Sequence, residues 1–267
     1  MPKPNILLVG CGKMGGALLK RWEEQSLCGK IVVVEPGTAI GSLAVNTAAS
    51  RRDVPASFTP DVIVFAVKPQ ILDDITSDYK SYTDAGALAL SIAAGMPVSF
   101  FEKHLGDKAK IIRSMPNTPA SIGKGITVAC ANKNVDAAEK KRGAALLSAV
   151  GEVLWVEDEK LLNPVTALSG SGPAYVFLLI EILEKAGVHA GLSPDMARVL
   201  ARQTVIGSAA LADASPELSA AQLRENVTSP GGTTAAALKV LMASDVQKIF
   251  DEALMAATKR AEELGRK

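Results

Sequence analysis

The chain is poor in the residues on which several function classes depend. Its three cysteines, Cys11, Cys28 and Cys130, form no C-x-x-C pair, so neither a disulfide framework nor a zinc site follows. A reducing compartment is the simple expectation. There are two histidines. His104 stands near a helix end before Gly106, and His189 lies in a Gly-Val-His-Ala-Gly-Leu turn. Both read as structural, with no metal cluster and no Ser-His-Asp pattern around them. Aromatics amount to 4%, too few in series for a single-strand stacking platform. Charged residues make up 21% with a net charge of +1, which argues against a surface built to pair with many phosphates. Long apolar runs are lacking too. The run after Asn5 is too short for a signal-peptide core. The longest elsewhere, Ala174 to Ile182, is broken by Glu181 and falls far short of the ~20 residues of a membrane span. The expectation is a soluble, cytoplasmic protein with no nucleic-acid or membrane partner and no metal.

What is present is a full complement of apolar residues, 48% of 267, enough for one or two domains. Residues 5–10 and 30–35 are continuous apolar runs suited to parallel strands buried on both faces, with a helix predicted from Lys13 to Gln25 between them. Further strands are predicted at 61–67, 87–92, 110–113, 125–129 and 152–156, and helices at 70–79, 97–104 and 135–150. This alternation indicates a doubly wound α/β sheet. After Glu159 the β-branched clusters give way to Ala- and Leu-rich helical spacing over 173–186, 194–212 and 246–264. Two domains are therefore expected: 1–159, a Rossmann dinucleotide-binding domain, and 160–267, an all-α domain.

Gly10, Gly12 and Gly15 match G-x-G-x-x-G between a strand and a helix, the context in which the pattern has meaning. The first glycine allows the tight turn. The second lets backbone approach a pyrophosphate, and the third lets helix and strand pack closely. The helix N-terminus then favours the anion. Glu35 ends the second strand twenty positions later, where a carboxylate binds adenosine ribose hydroxyls and repels a 2′-phosphate. NADH should therefore be used at least as well as NADPH. Thr38, Arg51 and Arg52 are the neighbours that could favour the phosphate.

Other loops fall at expected strand ends, where ligands bind in such sheets. Ala66-Val67-Lys68-Pro69 follows the strand at 61–67, with Lys68 able to neutralise cofactor charge or to be a plain surface lysine. Ser91 to Gly95 is small and smooth, suited to a flat ring. In Met115-Pro116-Asn117-Thr118-Pro119 two prolines bracket an amide that a rigid loop can present to a ligand. In the helical half, Leu168 to Tyr175 is rich in small residues. Ser229-Pro230-Gly231-Gly232-Thr233-Thr234 precedes a helical run at 235–242. Its free N–H groups and hydroxyls could form a carboxylate site without a basic side chain, or simply cap a helix.

Taken together, the segments at 10–16, 66–70, 115–119, 168–175 and 227–234 resemble those of the pyrroline-5-carboxylate reductase family, in the same order and over nearly the whole chain. The segment at 227–234 is specific to that family. The resemblance implies an N-terminal Rossmann domain and a helical domain that dimerises, the dimers often forming rings, commonly decamers. It implies reduction of L-1-pyrroline-5-carboxylate to L-proline with NADPH or NADH, the last step of proline biosynthesis. By position, Ser229, Gly231, Gly232, Thr233 and Thr234 are expected to hold the substrate carboxylate, with Thr234 nearest the ring nitrogen as the catalytic hydroxyl. Gly10, Cys11, Gly12, Lys13, Met14, Gly15, Glu35, Ala66, Val67, Lys68 and Pro69 are expected at the cofactor, with Asn117 near its nicotinamide side. The family commonly carries Asn-Arg-Ser or similar where this chain has Glu35-Pro36-Gly37, so the NADPH preference is the one property the resemblance does not carry across. The active site is expected to combine the two domains and to need the dimer. The alternatives are a reductase of another small cyclic imine and a cofactor-binding regulator without turnover.

Overall fold

The computed structural model describes residues 2–37 and 45–265, so Thr38 lies outside the described residues. Among the described residues, eight strands form one sheet: β1 (Ile6–Val9), β2 (Ile31–Val34), β3 (Asn46–Ala48), β4 (Val62–Phe65), β5 (Leu88–Ser91), β6 (Lys110–Pro116), β7 (Gly125–Ala131) and β8 (Gly151–Trp155). The spatial order is β3-β2-β1-β4-β5-β6-β7-β8. The first six run parallel, β7 is antiparallel to β6, and β8 is parallel to β7. The order reverses direction between β1 and β4, the topological switch point at which such sheets bind ligands.

The parallel strands are apolar on both sides because both sides are covered. Leu7, Val9, Ile63 and Phe65 belong to one core, Ile6, Leu8, Val62 and Val64 to the other. Each such side chain contributes about 1.5–3 kcal/mol on full burial. α1 (Lys13–Glu24) covers the second face through Leu18, Leu19 and Trp22. The Trp22 indole N–H donates to the Leu146 carbonyl at 2.8 Å, joining α1 to α5 (Ala137–Leu147). The other face carries α2 (Pro69–Ile75), α3 (Lys80–Asp84) and α4 (Val98–Leu105).

Beyond the sheet come α6 (Leu162–Val165), a π-helical turn (Thr166–Gly170), α7 (Gly172–His189), α8 (Pro194–Asp213), α9 (Ala220–Asn226), α10 (Thr233–Ala243) and α11 (Val246–Gly265). Contacts divide the chain into Met1–Ser171 with Ala256–Lys267, and Gly172–Met255. The compact units thus part twelve residues beyond the 159/160 boundary expected from composition, and the C-terminal segment belongs with the sheet. In the first unit, Gly95 adopts φ +79°, and a Cβ there would lie 3.4 Å from Leu264 Cβ. In the second, α7 and α8 cross closely at Gly187 and Ala197, and Ser193 caps α8.

Four local differences from the sequence reading have physical reasons. β3 and α9 are short and polar, without the apolar periodicity that marks an element. The helix expected at 70–79 ends at Ile75, continues as a 3-10 turn (Thr76–Tyr79) and resumes as α3. β6 runs on to Pro116 because β7 returns antiparallel beside it. The apolar stretch at 174–182 lies in the run Glu159–His189, helical but for a bend at Ser171, that is long and apolar enough by length and composition to cross a membrane, with a mean hydropathy of 1.4 over its best 18 residues. Small residues read as interruptions fold as helix, which corrects the expectation that no segment reaches such a length.

Candidate cofactor and substrate sites

Within the first unit, the loops after β1, β4, β5 and β6 share the C-terminal edge of the parallel sheet. Gly10 adopts φ +88°, a conformation open chiefly to glycine. A Cβ at Gly10 would lie 2.5 Å from Val67 Cγ1 and 2.9 Å from the Ala66 carbonyl oxygen, and one at Gly15 would lie 2.6 Å from the Gly10 carbonyl oxygen. These two glycines let the loops after β1 and β4 touch across the switch point, where Ala66 N–H also donates to the Val9 carbonyl at 2.8 Å.

Gly12 is different. A Cβ there would meet nothing within 4 Å, and Gly12 starts α1 with no side-chain cap. Its lack of a side chain therefore leaves open space before an uncapped helix N-terminus, where N–H groups lack intrahelical partners. That arrangement fits the pyrophosphate of a dinucleotide. Lys13 is exposed, and Cys11 and Met14 are half-buried against the core. Burial, and secondarily the Glu35 carboxylate, pushes the Cys11 thiol up from its ordinary range. Lys68 is exposed and precedes Pro69, the first residue of α2.

Glu35 is half-buried at the end of β2. Its Oε2 accepts the Cys11 N–H at 2.8 Å and its Oε1 the Gly37 N–H at 3.2 Å. The carboxylate thus stands directly beside the glycine loop. Arg51 is turned elsewhere: its guanidinium lies 4.1 Å above the Tyr82 ring. Arg52 is exposed just beyond β3.

The family resemblance implies a place for Asn117 near the nicotinamide side, and the structure commits both ends of its amide to the protein. Oδ1 accepts the Ile126 N–H at 2.9 Å, and Nδ2 donates to the Ser169 carbonyl at 3.2 Å. A second link between β6 and the segment after Asp158 escaped sequence reasoning. The buried Arg113 pairs with Glu159 at 2.6 Å, and Glu159 also accepts the Val98 N–H at 2.8 Å. A charged residue in mid-strand was the available signal. These groups border a cavity of about 350 Å³ lined by Pro97, Arg113, Glu159, Lys160, Asn163 and Glu262.

His104 is not as isolated as its sequence context implies. Nδ1 is 2.9 Å from Ser77 Oγ, and Nε2 is 3.1 Å from the exposed Asp73 carboxylate. A Ser, a His and an Asp do therefore meet, but the ring packs at 4.4 Å on Phe100 and the group braces α4 against the segment from α2 to the following 3-10 turn. The sequence offered no spacing by which to see it. No group of three metal-ligating side chains occurs among the described residues.

In the second unit, Ser229 and Gly231 are exposed, and Gly231 adopts φ +70°. The Gly232 N–H donates to the Ser229 carbonyl at 3.0 Å, closing a tight turn. Gly232 then starts α10 without a side-chain cap, so the first turn, with Thr233 and the half-buried Thr234, presents backbone donors outward. The geometry suits a small carboxylate. The unit's helices bury only Ala197 and Ala201 among the described residues, while Phe177 is 65% and Met242 65% exposed. An apolar surface of that extent marks an interaction face.

Comparison with known proteins supplies the rest. Residues 159–264 match the family described as pyrroline-5-carboxylate reductase dimerisation, and residues 5–95 match that described as NADP oxidoreductase, coenzyme F420-dependent. The chain is 38% identical over 270 residues to pyrroline-5-carboxylate reductase of Pseudomonas aeruginosa, covering 99% of this chain and 98% of that one. It is 40% identical to the Synechocystis enzyme of the same name, covering 97% and 98%. Among solved structures it is similar to a pyrroline-5-carboxylate reductase from Coxiella burnetii, with TM-score 0.92, 36% identity and 98% coverage of both chains. The Plasmodium falciparum pyrroline carboxylate reductase solved with NADP bound gives TM-score 0.84, 32% identity and 99% coverage of both. A Rossmann sheet with an open glycine loop, an uncapped Gly-Gly-Thr-Thr helix start and full-length similarity at this level place the chain in the pyrroline-5-carboxylate reductase family.

Proposed function

We propose that the protein reduces L-1-pyrroline-5-carboxylate to L-proline with NADH or NADPH, as a homodimer. The observation that carries the reading is the pair of uncapped helix starts, at Gly12 and at Gly232. Each suits one anion: a pyrophosphate for the first and a carboxylate for the second. Residues 1–159 serve to bind the dinucleotide and 160–267 to bind substrate and dimerise, a division by role that differs from the packing units, which part after Ser171 and after Met255.

The reduced nicotinamide supplies a hydride when bound. Residues of this chain do the rest. Gly10 to Gly15 and Ala66 to Pro69 hold the dinucleotide, with Lys68 near its charge. Ser229, Gly231, Gly232, Thr233 and Thr234 hold the carboxylate, and the Thr234 hydroxyl lies toward the imine nitrogen. With the imine protonated, its carbon would take that hydride while the carbon–nitrogen π electrons return to nitrogen, giving proline. The demand on the protein is near-attack positioning, which is worth several kcal/mol of barrier, and no strongly acidic group is needed if the iminium form binds.

Glu35 supports a tilt toward NADH: a carboxylate at the end of β2, beside the glycine loop, would repel an adenosine 2′-phosphate bound there. The exposed apolar helices support the dimer and ring assembly, and a dissociated chain should be inactive. The same surface accounts for the apolar run at 159–189 without a membrane, and a soluble cytoplasmic enzyme is the reading adopted. Oxidation of NADH and NADPH in the presence of pyrroline-5-carboxylate, and in parallel its six-membered homologue, tests the activity and the ring size. Cofactor binding with no turnover of either imine would favour a regulatory protein.

A further inference from the structure

We infer that Asn117 is a positioning residue for the proposed hydride transfer: its amide tethers the Ser169 backbone to the end of β6, and reaction geometry, not cofactor affinity, depends on it. The inference rests on the proposed reductase activity.

Asn117 stands at the N-cap of the 3-10 helix Thr118–Ile122, a place where asparagine ordinarily accepts a hydrogen bond from the turn it begins. Here the side chain caps nothing. It is diverted to the Ile126 N–H on one side and to the Ser169 carbonyl on the other.

The Ser169 carbonyl lacks its ordinary α-helical donor for a reason visible in the sequence. In an α-helix it would accept the N–H of residue 173, and residue 173 is proline, which has none. The segment is a π-helical turn, Thr166–Gly170, closed by the Ser171 N–H donating to the Thr166 carbonyl at 2.9 Å. Such turns recur at functional sites. The Ser169 hydroxyl is occupied with the Val165 carbonyl at 3.0 Å and does not replace Asn117. Beside it Gly170 admits Met115: a Cβ at Gly170 would lie 2.5 Å from Met115 Cε. Two segments of the first unit distant in sequence, 115–119 and 168–170, are thereby fixed to one another at the sheet edge that carries the glycine loop.

The test compares wild type, Asn117→Ala, Asn117→Asp, and Asn117→Ala combined with Pro173→Ala. The last restores an N–H at residue 173 without restoring the tether. A misplacement of about 1 Å costs roughly 100-fold in rate. The expected result is a kcat lowered ~10- to 100-fold in both single variants, with the dissociation constant for NADH changed less than about twofold. In the double variant thermal stability recovers while kcat stays low. Recovery of kcat along with stability would show a merely structural role and overturn the proposal. A cofactor affinity weakened tenfold at unchanged kcat would make Asn117 a ligand and overturn it equally. Should Asn117→Ala not fold, Asn117→Asp keeps the acceptor for Ile126 and carries the test. Amide hydrogen exchange over 166–172 reads the tether without turnover. Faster exchange in Asn117→Asp beside an inactive wild type would fault the reductase reading alone, and unchanged exchange would fault the tether.

Discussion

The backbone N–H of Cys11 donates a 2.8 Å hydrogen bond to Oε2 of Glu35. The end of β2 is thereby tied to the glycine loop after β1, and a carboxylate stands beside that loop. Replacing Glu35 with Gln keeps the size and an acceptor but removes the charge. The ratio of kcat/KM for NADPH over that for NADH should rise roughly tenfold, equivalent to about 1.4 kcal/mol. Steady-state kinetics with both cofactors measures it. A wild type that strongly prefers NADPH, with no change in Glu35→Gln, would remove Glu35 from selection.

Gly10→Ala should damage folding and cofactor binding together. The residue sits at φ +88°, and its Cβ would lie 2.5 Å from Val67 Cγ1. The left-handed conformation alone costs about 1–2 kcal/mol, and the clash adds to it. Gly12→Ala should differ, because a Cβ at Gly12 meets no protein atom within 4 Å. Its stability should hold while its cofactor dissociation constant rises tenfold or more. Thermal denaturation and fluorescence titration with NADH separate the two outcomes.

Thr234→Ala should lower turnover by roughly 100-fold or more, at the lower end of what one positioned proton-handling group contributes, with cofactor affinity unchanged. Serine at 234 should restore most of the rate. Full activity in the alanine variant would take the hydroxyl out of the mechanism.

Phe177 is 65% exposed on α7 in the single chain. Phe177→Asp should shift the protein from dimer toward monomer, seen by light scattering at micromolar concentration, with loss of activity. A variant that remains dimeric would place the interface elsewhere. Association of the wild type with lipid vesicles in preference to itself would favour a membrane role for 159–189.

Burial pushes the Cys28 thiol up to about 12 from an ordinary 9.0. The folded state thus favours the neutral thiol. This contribution is fully present below pH 9 and is lost as pH rises from there toward 12, because the unfolded chain ionises first. Denaturation midpoints should therefore fall over that range more steeply in wild type than in Cys28→Ala, and Cys28 should resist alkylation at pH 8. Rapid alkylation of the native protein at Cys28 would contradict this environment.

Legibility in the sequence followed the kind of demand each residue meets. β1, β2, β4 and β5 were plain because strands buried on both faces must be continuously apolar. The glycine loop was plain because its needs are conformational and local. The three-residue β3 left no pattern. Asn117 was visible as an unusual residue but not in its use, since its acceptor is a backbone carbonyl 52 positions away made needy by Pro173. Arg113 and Glu159 likewise meet across 46 positions with nothing local to announce the pair. The unit boundary moved because the turn at Thr166–Gly170 packs on β6, while composition changes earlier.

The most direct measurement is the oxidation of NADH, followed at 340 nm (the absorbance of the reduced nicotinamide), by purified protein with and without L-1-pyrroline-5-carboxylate. The predicted result is substrate-dependent oxidation yielding L-proline in equal amount, with kcat in the range of roughly 1–1000 per second common to enzymes. Tight binding of NADH and NADPH without any proline formed would contradict the account.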